Sequence, residues 1–281
     1  MSLKAEKLEH KYNAGTTLES YALKGIDLEI EKGEFVGLIG RTGSGKSTLI
    51  QHFNGLLKPT GGRILFDGKD ISEKGYSLKI LRQKVGLVFQ YPEYQLFEET
   101  IIKDVAYGPM NKGMSQEEAL KAAQEALRLV GIQKELYNKS PFEVSGGQKR
   151  RVAVAGVLAI HPDYLILDEP TAGLDPEGRE AILGLFRSLH EKLGITIIMV
   201  SHSMEDVARY AKRLIVMNEG SIAYDDTPRE VFRHTDELEN MGLSAPQSVH
   251  IARALKQAGF DVPGDAITVD ELVKPIIESM R

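Results

Sequence analysis

Residues Gly40-Arg41-Thr42-Gly43-Ser44-Gly45-Lys46-Ser47-Thr48 follow the apolar run Phe35-Val36-Gly37-Leu38-Ile39 and precede Leu49-Ile50-Gln51-His52-Phe53. The order reads as a strand, an anion-cradling loop and a helix start. Glycines at this spacing let successive backbone N–H groups converge on a phosphate, and Lys46 adds a point charge at the β/γ-phosphates of a nucleotide. Ser47 offers a hydroxyl to Mg²⁺, and the helix N-terminus adds its dipole. A chance match to this pattern in a chain this long has odds on the order of one per cent.

A second set of residues points to hydrolysis. Tyr164-Leu165-Ile166-Leu167-Asp168-Glu169 is an apolar strand ending in two carboxylates, which suits the carboxyl edge of a sheet beside a phosphate loop. Asp168 in that setting holds Mg²⁺, directly or through water, and Glu169 acts as general base on an attacking water. Alone, such a strand could equally end in solvated acids. It has company. Ser145-Gly146-Gly147-Gln148 directly precedes a helix predicted over residues 149–160 and offers a second helix N-terminus for a phosphate. Gln90 follows the predicted strand 85–89, Asp175 closes Ala172-Gly173-Leu174-Asp175, and His202 ends the predicted strand 196–201.

The elements that must position these groups follow from periodicity. Residues 3–39 are strand-rich, with runs at 5–12, 26–30 and 34–39 broken by the polar segment 13–20 and by Lys32-Gly33. Asp67-Gly68 predicts a type I′ hairpin turn, so a small antiparallel sheet is expected beside the phosphate loop. From about 100 to 160 the period becomes helical, with Ser115 and Glu118 as a capping box opening a helix that runs to Gly131. Strands at 164–167, 195–200 and 214–217 alternate with helices at 177–193 and 204–211. That order predicts an α/β fold with a parallel sheet covered on both faces. Beyond about 235 the signals are short helices, one opened by Pro246 and stopped by Gly259, the last capped by Thr268 with Glu271. The expected division is 1–235 for the main domain and 236–281 for a C-terminal helical extension.

The 281 residues, 42% hydrophobic, suffice for one large core with a small appendage. The net charge of −5, with both signs interleaved, gives no electrostatic reason to expect a nucleic-acid partner. Absence of cysteine excludes disulfides and thiolate metal sites, and suits a reducing cytoplasm. The longest apolar runs are strand-length, well short of the ~20 residues of a membrane-spanning helix, and the N-terminus lacks the apolar core of a signal peptide. The seven histidines show no paired ligand spacing, so Mg²⁺ is the only metal expected.

With these motifs in this order, the chain resembles the nucleotide-binding subunits of ABC transporters over nearly all of residues 3–235. The resemblance implies a P-loop NTPase with a RecA-like parallel sheet core, an antiparallel β subdomain and a helical signature subdomain at about 100–160. It also implies two subunits closing head to tail. Each ATP then lies between the loop Gly40–Thr48 of one subunit and the signature Ser145–Gln148 of the other. By position, Lys46 anchors the phosphates, Glu169 is the general base, Gln90 senses metal and lytic water, His202 contacts the γ-phosphate and Asp175 shapes the dimer interface. Val144 stands where leucine is usual. An aromatic residue on an N-terminal strand stacks on adenine in this family; Tyr12 is the choice, with Tyr21 as competitor.

Phe89-Gln90-Tyr91-Pro92-Glu93-Tyr94-Gln95-Leu96-Phe97-Glu98-Glu99-Thr100, Lys139-Ser140-Pro141-Phe142-Glu143 and Thr171-Ala172-Gly173-Leu174-Asp175-Pro176 look like the A components of energy-coupling factor (ECF) importers. In these, two ATPases, as a homo- or heterodimer, dock on a membrane T component that carries a substrate-binding S component for vitamins or cobalt and nickel ions. That places the chain at the cytoplasmic face of the cell membrane as a peripheral subunit. Residues 91–99 lie where the ATPase meets the T component, with an exposed Glu93 expected to contact the partner and Leu96 and Phe97 equally readable as core. The segment Leu243-Ser244-Ala245-Pro246-Gln247 resembles that of the second ATPase type, where it helps hold the dimer. The competing classes are a soluble ABC protein acting on DNA or ribosomes, which would carry long coiled coils or two fused nucleotide domains, and the ATPase of an ordinary binding-protein-dependent importer.

Overall fold

In strands β1 (Ser2–Tyr12) and β2 (Ser20–Glu31) alternate side chains are buried, and in each the alternation slips once by one residue, in β2 between Leu23 and Ile26 and in β1 between Ala5 and Leu8. Leu3 and Ala5 point inward, then Leu8 and His10. The register with β2 shifts between Ala5 and Leu8, where Lys7 takes a positive φ of 45°, so a bulge returns the apolar residues to one face. The computed structural model describes residues 1–260 and 262–279; residue 261 and residues 280–281 of the predicted extension lie outside them.

A four-stranded antiparallel sheet runs β2-β1-β4-β5, with β4 at Gly61–Phe66 and β5 at Lys69–Asp70. Asp67 and Gly68 both have positive φ, 50° and 74°, as the predicted I′ turn requires. The larger sheet runs β10-β9-β3-β8-β7-β6. Its members are β3 (Phe35–Gly40), β6 (Val85–Val88), β7 (Tyr164–Asp168), β8 (Thr196–Val200), β9 (Arg213–Asn218) and β10 (Ser221–Asp226). All its neighbours pair in parallel except β10 with β9.

Continuous apolar runs made these strands legible because both faces are covered. Leu165 and Leu167 of β7, with Ile197 and Met199 of β8, enter a core under the helices. The intervening Tyr164, Ile166, Ile198 and Val200 enter a second core shared with the antiparallel sheet. The buried Tyr164 hydroxyl donates to the Met1 carbonyl at 3.0 Å, so this large ring carries no unmet polar group.

The helices are α1 (Lys46–Phe53), α2 (Leu78–Lys84), α3 (Ile101–Lys112), α4 (Gln116–Leu129), α5 (Gly146–Leu158), α6 (Pro176–Leu193), α7 (Met204–Tyr210), α8 (Pro228–Val231), α9 (Thr235–Asn240), α10 (Gln247–Gln257) and α11 (Val269–Ser279). Helix α4 opens on the predicted box, Ser115 and Glu118 each capping the other's backbone N–H, and ends at Val130. Helix α5 starts earlier than the sequence pattern indicated. Gly146 and Gly147 form its first turn, with Ser145 as N-cap in a reciprocal box with Gln148, because two glycines hide a helix start from any propensity argument. The last helix also differs in detail: the Glu271 carboxylate accepts from Ile267 N–H at 2.9 Å and pairs with Arg229, rather than closing a box on Thr268.

Leu238, Leu243, Ala245, Val249 and Ile267 belong to the same core as the parallel sheet. Only the outer pairing of α10 with α11, around Ala252, Ala266 and Leu272, has a small cluster of its own.

Candidate nucleotide site

Strand β3 delivers the chain from the sheet edge into the loop that opens α1. The turn is possible because side chains are missing at two places. A Cβ on Gly40 would stand 2.4 Å from the Met217 carbonyl oxygen, and one on Gly45 would stand 2.5 Å from that of Ala22. Gly45 also has φ 103° at the N-cap position of α1, which carries no side-chain cap, so the first N–H groups of the helix are left for a ligand.

Beside this loop lies a cleft of about 670 Å³ lined by Tyr12, Tyr21, Thr42, Gly43, Gly45, Lys46, Ser47, Thr48, Gln90, Asp168, Glu169 and His202, with Ser20, Ala22 and Val200. Three strand ends meet there. β3 supplies the loop, β7 ends at Asp168, and β8 ends two residues before His202. The sequence-predicted groups Gly40, Arg41 and Ser44 belong to the loop without lining the cleft. Ser145, Gly146, Gly147, Gln148 and Asp175 lie outside it altogether. Asp175 is the N-cap of α6, its carboxylate accepting from Gly178 N–H at 2.7 Å.

Lys46 is buried, and its ammonium donates to the Gly40 carbonyl at 2.6 Å and that of Arg41 at 3.2 Å. Burial pushes its pKa below the ordinary lysine value, against the pull of Glu169 and Asp168. Burial likewise raises the Asp168 carboxyl and carries Glu169 up to about 7. Glu169 has the positive φ of 50°, rare for a non-glycine residue. Its Oε2 accepts from His202 N–H at 3.3 Å, and its buried Oε1, 3.4 Å from His202 Nε2, has no hydrogen-bond partner. Desolvation lowers the His202 pKa, so at neutral pH an uncharged imidazole faces this carboxyl. A buried oxygen without a donor, beside a cleft, is placed to accept from a water or hydroxyl that enters it.

Both tyrosine candidates line the cleft. The Tyr12 hydroxyl lies 3.2 Å from Thr48 Oγ1, and its ring meets His10 edge-on. Tyr21 stands opposite Lys11 in the β1–β2 ladder, and Lys11 Nζ sits 4.4 Å over its ring.

The stretch after Gln90 corrects one expectation. Glu93 is not an exposed partner contact; its carboxylate is held bidentate by Arg150 of α5, at 3.0 and 2.9 Å. Arg150 is 3% exposed and also donates to the carbonyls of Pro170 and Ala172. The sequence carried no sign of this pair, since Arg150 stands among Lys149 and Arg151 in a basic run. Leu96 is core, while Tyr94 and Phe97 are 84% and 59% exposed. Glu93→Ala leaves a buried guanidinium without its counter-ion and is expected to destabilise the fold by about 3 kcal/mol. Chemical denaturation checks this, and a loss under about 1 kcal/mol would show that the carbonyls alone satisfy Arg150.

The donors beside the loop, the Ser47 hydroxyl, the Asp168 carboxylate and the Gln90 amide oxygen, are hard oxygen ligands of the kind Mg²⁺ takes together with phosphate oxygens. Among the described residues, no group of three His, Cys, Asp or Glu side chains could hold a metal.

Comparison with known proteins places the chain in one family. The family model described as ABC transporter matches residues 23–172. The energy-coupling factor transporter ATP-binding protein EcfA2 of Caldanaerobacter subterraneus subsp. tengcongensis is 55% identical over 281 residues, spanning 100% of this chain and 98% of that protein. EcfA2 of Clostridium perfringens is 55% identical over 282 residues, spanning 100% and 99%. Among solved structures, cbiO1 from Clostridium perfringens, described as part of the ABC transporter complex cbiONQ, is 43% identical with a TM-score of 0.74, covering 85% of this chain and 93% of that one. The ATP-binding cassette MJ0796, solved as a dimer in a post-hydrolysis state bound to ADP and Pi, is 33% identical with a TM-score of 0.71, covering 80% and 98%.

Proposed function

The chain belongs to the ABC transporter family, with the energy-coupling factor ATP-binding proteins as its full-length relatives, and on that premise we propose that it is the ATP-hydrolysing subunit of an ECF importer. One observation supports this above the others. The cleft gathers Lys46, Ser47, Gln90, Asp168, Glu169 and His202, yet the helix N-terminus at Ser145–Gln148 lies outside it. The chain therefore carries two halves of a phosphate site that do not meet, and a second ATPase subunit facing it head to tail brings each half to its complement.

In that arrangement ATP enters with its base on Tyr12, Tyr21 being the alternative, and its phosphates on the N–H groups of Gly43–Thr48. Lys46 gives its ammonium to the β/γ-phosphates in place of the Gly40 and Arg41 carbonyls it now contacts. Mg²⁺, bound through Ser47, Asp168 and Gln90, supplies neutralisation of phosphate charge. Glu169 takes the proton from the attacking water at its unpartnered Oε1, and the neutral His202 donates to the γ-phosphate. The Ser145–Gln148 N-terminus of the other subunit closes the site, with Asp175 at the interface. Catalysis is thus chiefly positioning and charge neutralisation.

The relatives are transporter ATP-binding proteins, and no helix among the described residues is long and apolar enough to cross a membrane, so on this reading the motor's load is a separate membrane protein. Exposed Tyr94 and Phe97 next to the Gln90 segment suit the attachment to a T component at the cytoplasmic face, with an S component holding the vitamin or transition-metal ion. Affinity purification of the tagged chain from solubilised membranes of its own cells tests the assignment. A second ATPase and a multi-helix membrane protein in stoichiometric amounts are expected. Recovery of the chain alone with full turnover overturns it. A periplasmic or extracellular binding-protein partner points to the ordinary importer class.

A further inference from the structure

Away from the cleft, one charged cluster has no part in the chemistry just assigned. Asp206 of α7 is 5% exposed, a position at which an unpaired carboxylate is costly. Arg179 of α6 meets it with Nε at 2.9 and 3.1 Å from its two oxygens and Nη2 at 2.7 Å, and Thr171 Oγ1 adds a contact at 3.4 Å. The same Nη2 also donates to the Ser203 hydroxyl. That hydroxyl caps α7 by accepting from Asp206 N–H, and Ser203 directly follows His202.

Arg179 is also bound to the turn that Asp175 opens, because its own N–H donates to the Asp175 carbonyl at 2.9 Å. Thr171 lies two residues beyond Glu169, and Ala172 N–H donates to the Glu169 carbonyl at 3.1 Å. The return link is His202 N–H to Glu169 Oε2. One guanidinium thus closes a ring that runs from Glu169 through Thr171, Asp206, Arg179 and Ser203 to His202 and back to Glu169.

Resting on the function proposed above, we infer that Arg179 is a positioning residue for hydrolysis: it locks the turn bearing His202 to the Asp175 turn, so that movement of the interface is felt at the His202 imidazole. Lysine cannot replace it. The planar fork reaches Asp206 and Ser203 at once, whereas an ammonium on a flexible stem satisfies the carboxylate and leaves the Ser203 hydroxyl held only from within α7, with no tie to α6. A purely structural ion pair would need only the charge on Asp206. A positioning role needs both contacts.

The test uses the assembled complex and steady-state ATPase kinetics of R179K, S203A, H202A and the double variant R179K/H202A. R179K is expected to lower kcat by roughly 10-fold to 10²-fold, with KM for ATP within about twofold of the unmodified complex. S203A keeps the Arg179–Asp206 pair but removes the α7 cap, at a cost in stability read as a lower Tm, and is expected to lower kcat in the same way as R179K while still folded at the assay temperature. In the H202A background R179K is expected to cost less than about twofold more, because the group it positions is already gone. Full multiplication of the two losses, or an unchanged kcat in both R179K and S203A, overturns the role of Arg179. An unmodified complex that turns over no ATP overturns the functional reading as well, so the two failures are distinguishable.

Discussion

Glu169→Gln is expected to leave ATP binding intact while cutting turnover by about 10²-fold to 10⁴-fold, the range spanned by loss of a positioned general base. The amide keeps the size of the carboxylate and can still accept from His202 N–H, so the loop, Lys46 and the tyrosines are undisturbed. What it lacks is an atom to take the proton from water. Equilibrium binding of ATP and steady-state hydrolysis measured side by side give the required split, and a variant with ordinary turnover would remove Glu169 from the mechanism.

The same substitution has a second, pH-dependent signature in the protein free of nucleotide and metal. Burial raises the Glu169 carboxyl to about 7 from an ordinary value of 4.5, so the folded protein binds a proton more tightly than the unfolded chain does. The stability this contributes is complete below 4.5 and is lost as pH rises through 7. Glutamine never ionises and escapes that loss. The variant should therefore gain on the order of 1 kcal/mol over the parent at pH 8, discounted for the solvent that reaches this carboxyl, or about 2–4 °C in Tm. At pH 5 the two should melt together. Equal offsets at both values would contradict the burial argument.

Lys46→Ala should show the opposite split. Its ammonium is the one positive side chain buried among the cleft residues, and charge-assisted hydrogen bonds to phosphate of about 1.5–3 kcal/mol correspond to a Kd for ATP weakened by roughly 10-fold to 10²-fold. The fold should tolerate the change, because removing the lysine side chain, which itself lines the cleft, opens a path for water to the carbonyls of Gly40 and Arg41 that the ammonium leaves. Titration calorimetry with ATP, beside a far-UV spectrum, measures both points. Parent-like affinity in a folded variant would show that the loop N–H groups hold the phosphates without the lysine.

Much of this was readable from the chain. The apolar runs of β3, β7, β8 and β9 are strands because helices on one side and the antiparallel sheet on the other keep both faces dry. Ser115 with Glu118 and Asp67-Gly68 are local devices whose partners stand within a few residues, so the sequence displays them whole. The loop Gly40–Thr48 is visible for the same reason, and Asp168 and Glu169 stand out because two carboxylates end a continuous apolar strand. The Glu93–Arg150 pair spans 57 residues and the Arg179–Asp206 pair 27, and such separations leave no periodic trace. Helix α2 was also invisible, since its seven residues bury only Leu81. The early start of α5 was masked by the two glycines of its first turn, residues of poor helix propensity.

The last segment of the chain bears on how this protein could have been assembled in evolution. The Arg41 side chain of the phosphate loop lies where a Cβ on Gly242 would touch it, 3.4 Å away, Glu205 of α7 caps Gln247 N–H at 3.3 Å, and five apolar side chains between 238 and 267 complete the main core. The leucines, valine and isoleucine among them are each worth about 1.5–3 kcal/mol when buried. A gene ending near codon 235 would not encode a smaller version of the same enzyme; it would encode one with an uncovered flank beside its own nucleotide loop. The tail thus cannot be shed or exchanged as a module without rebuilding the surface it covers.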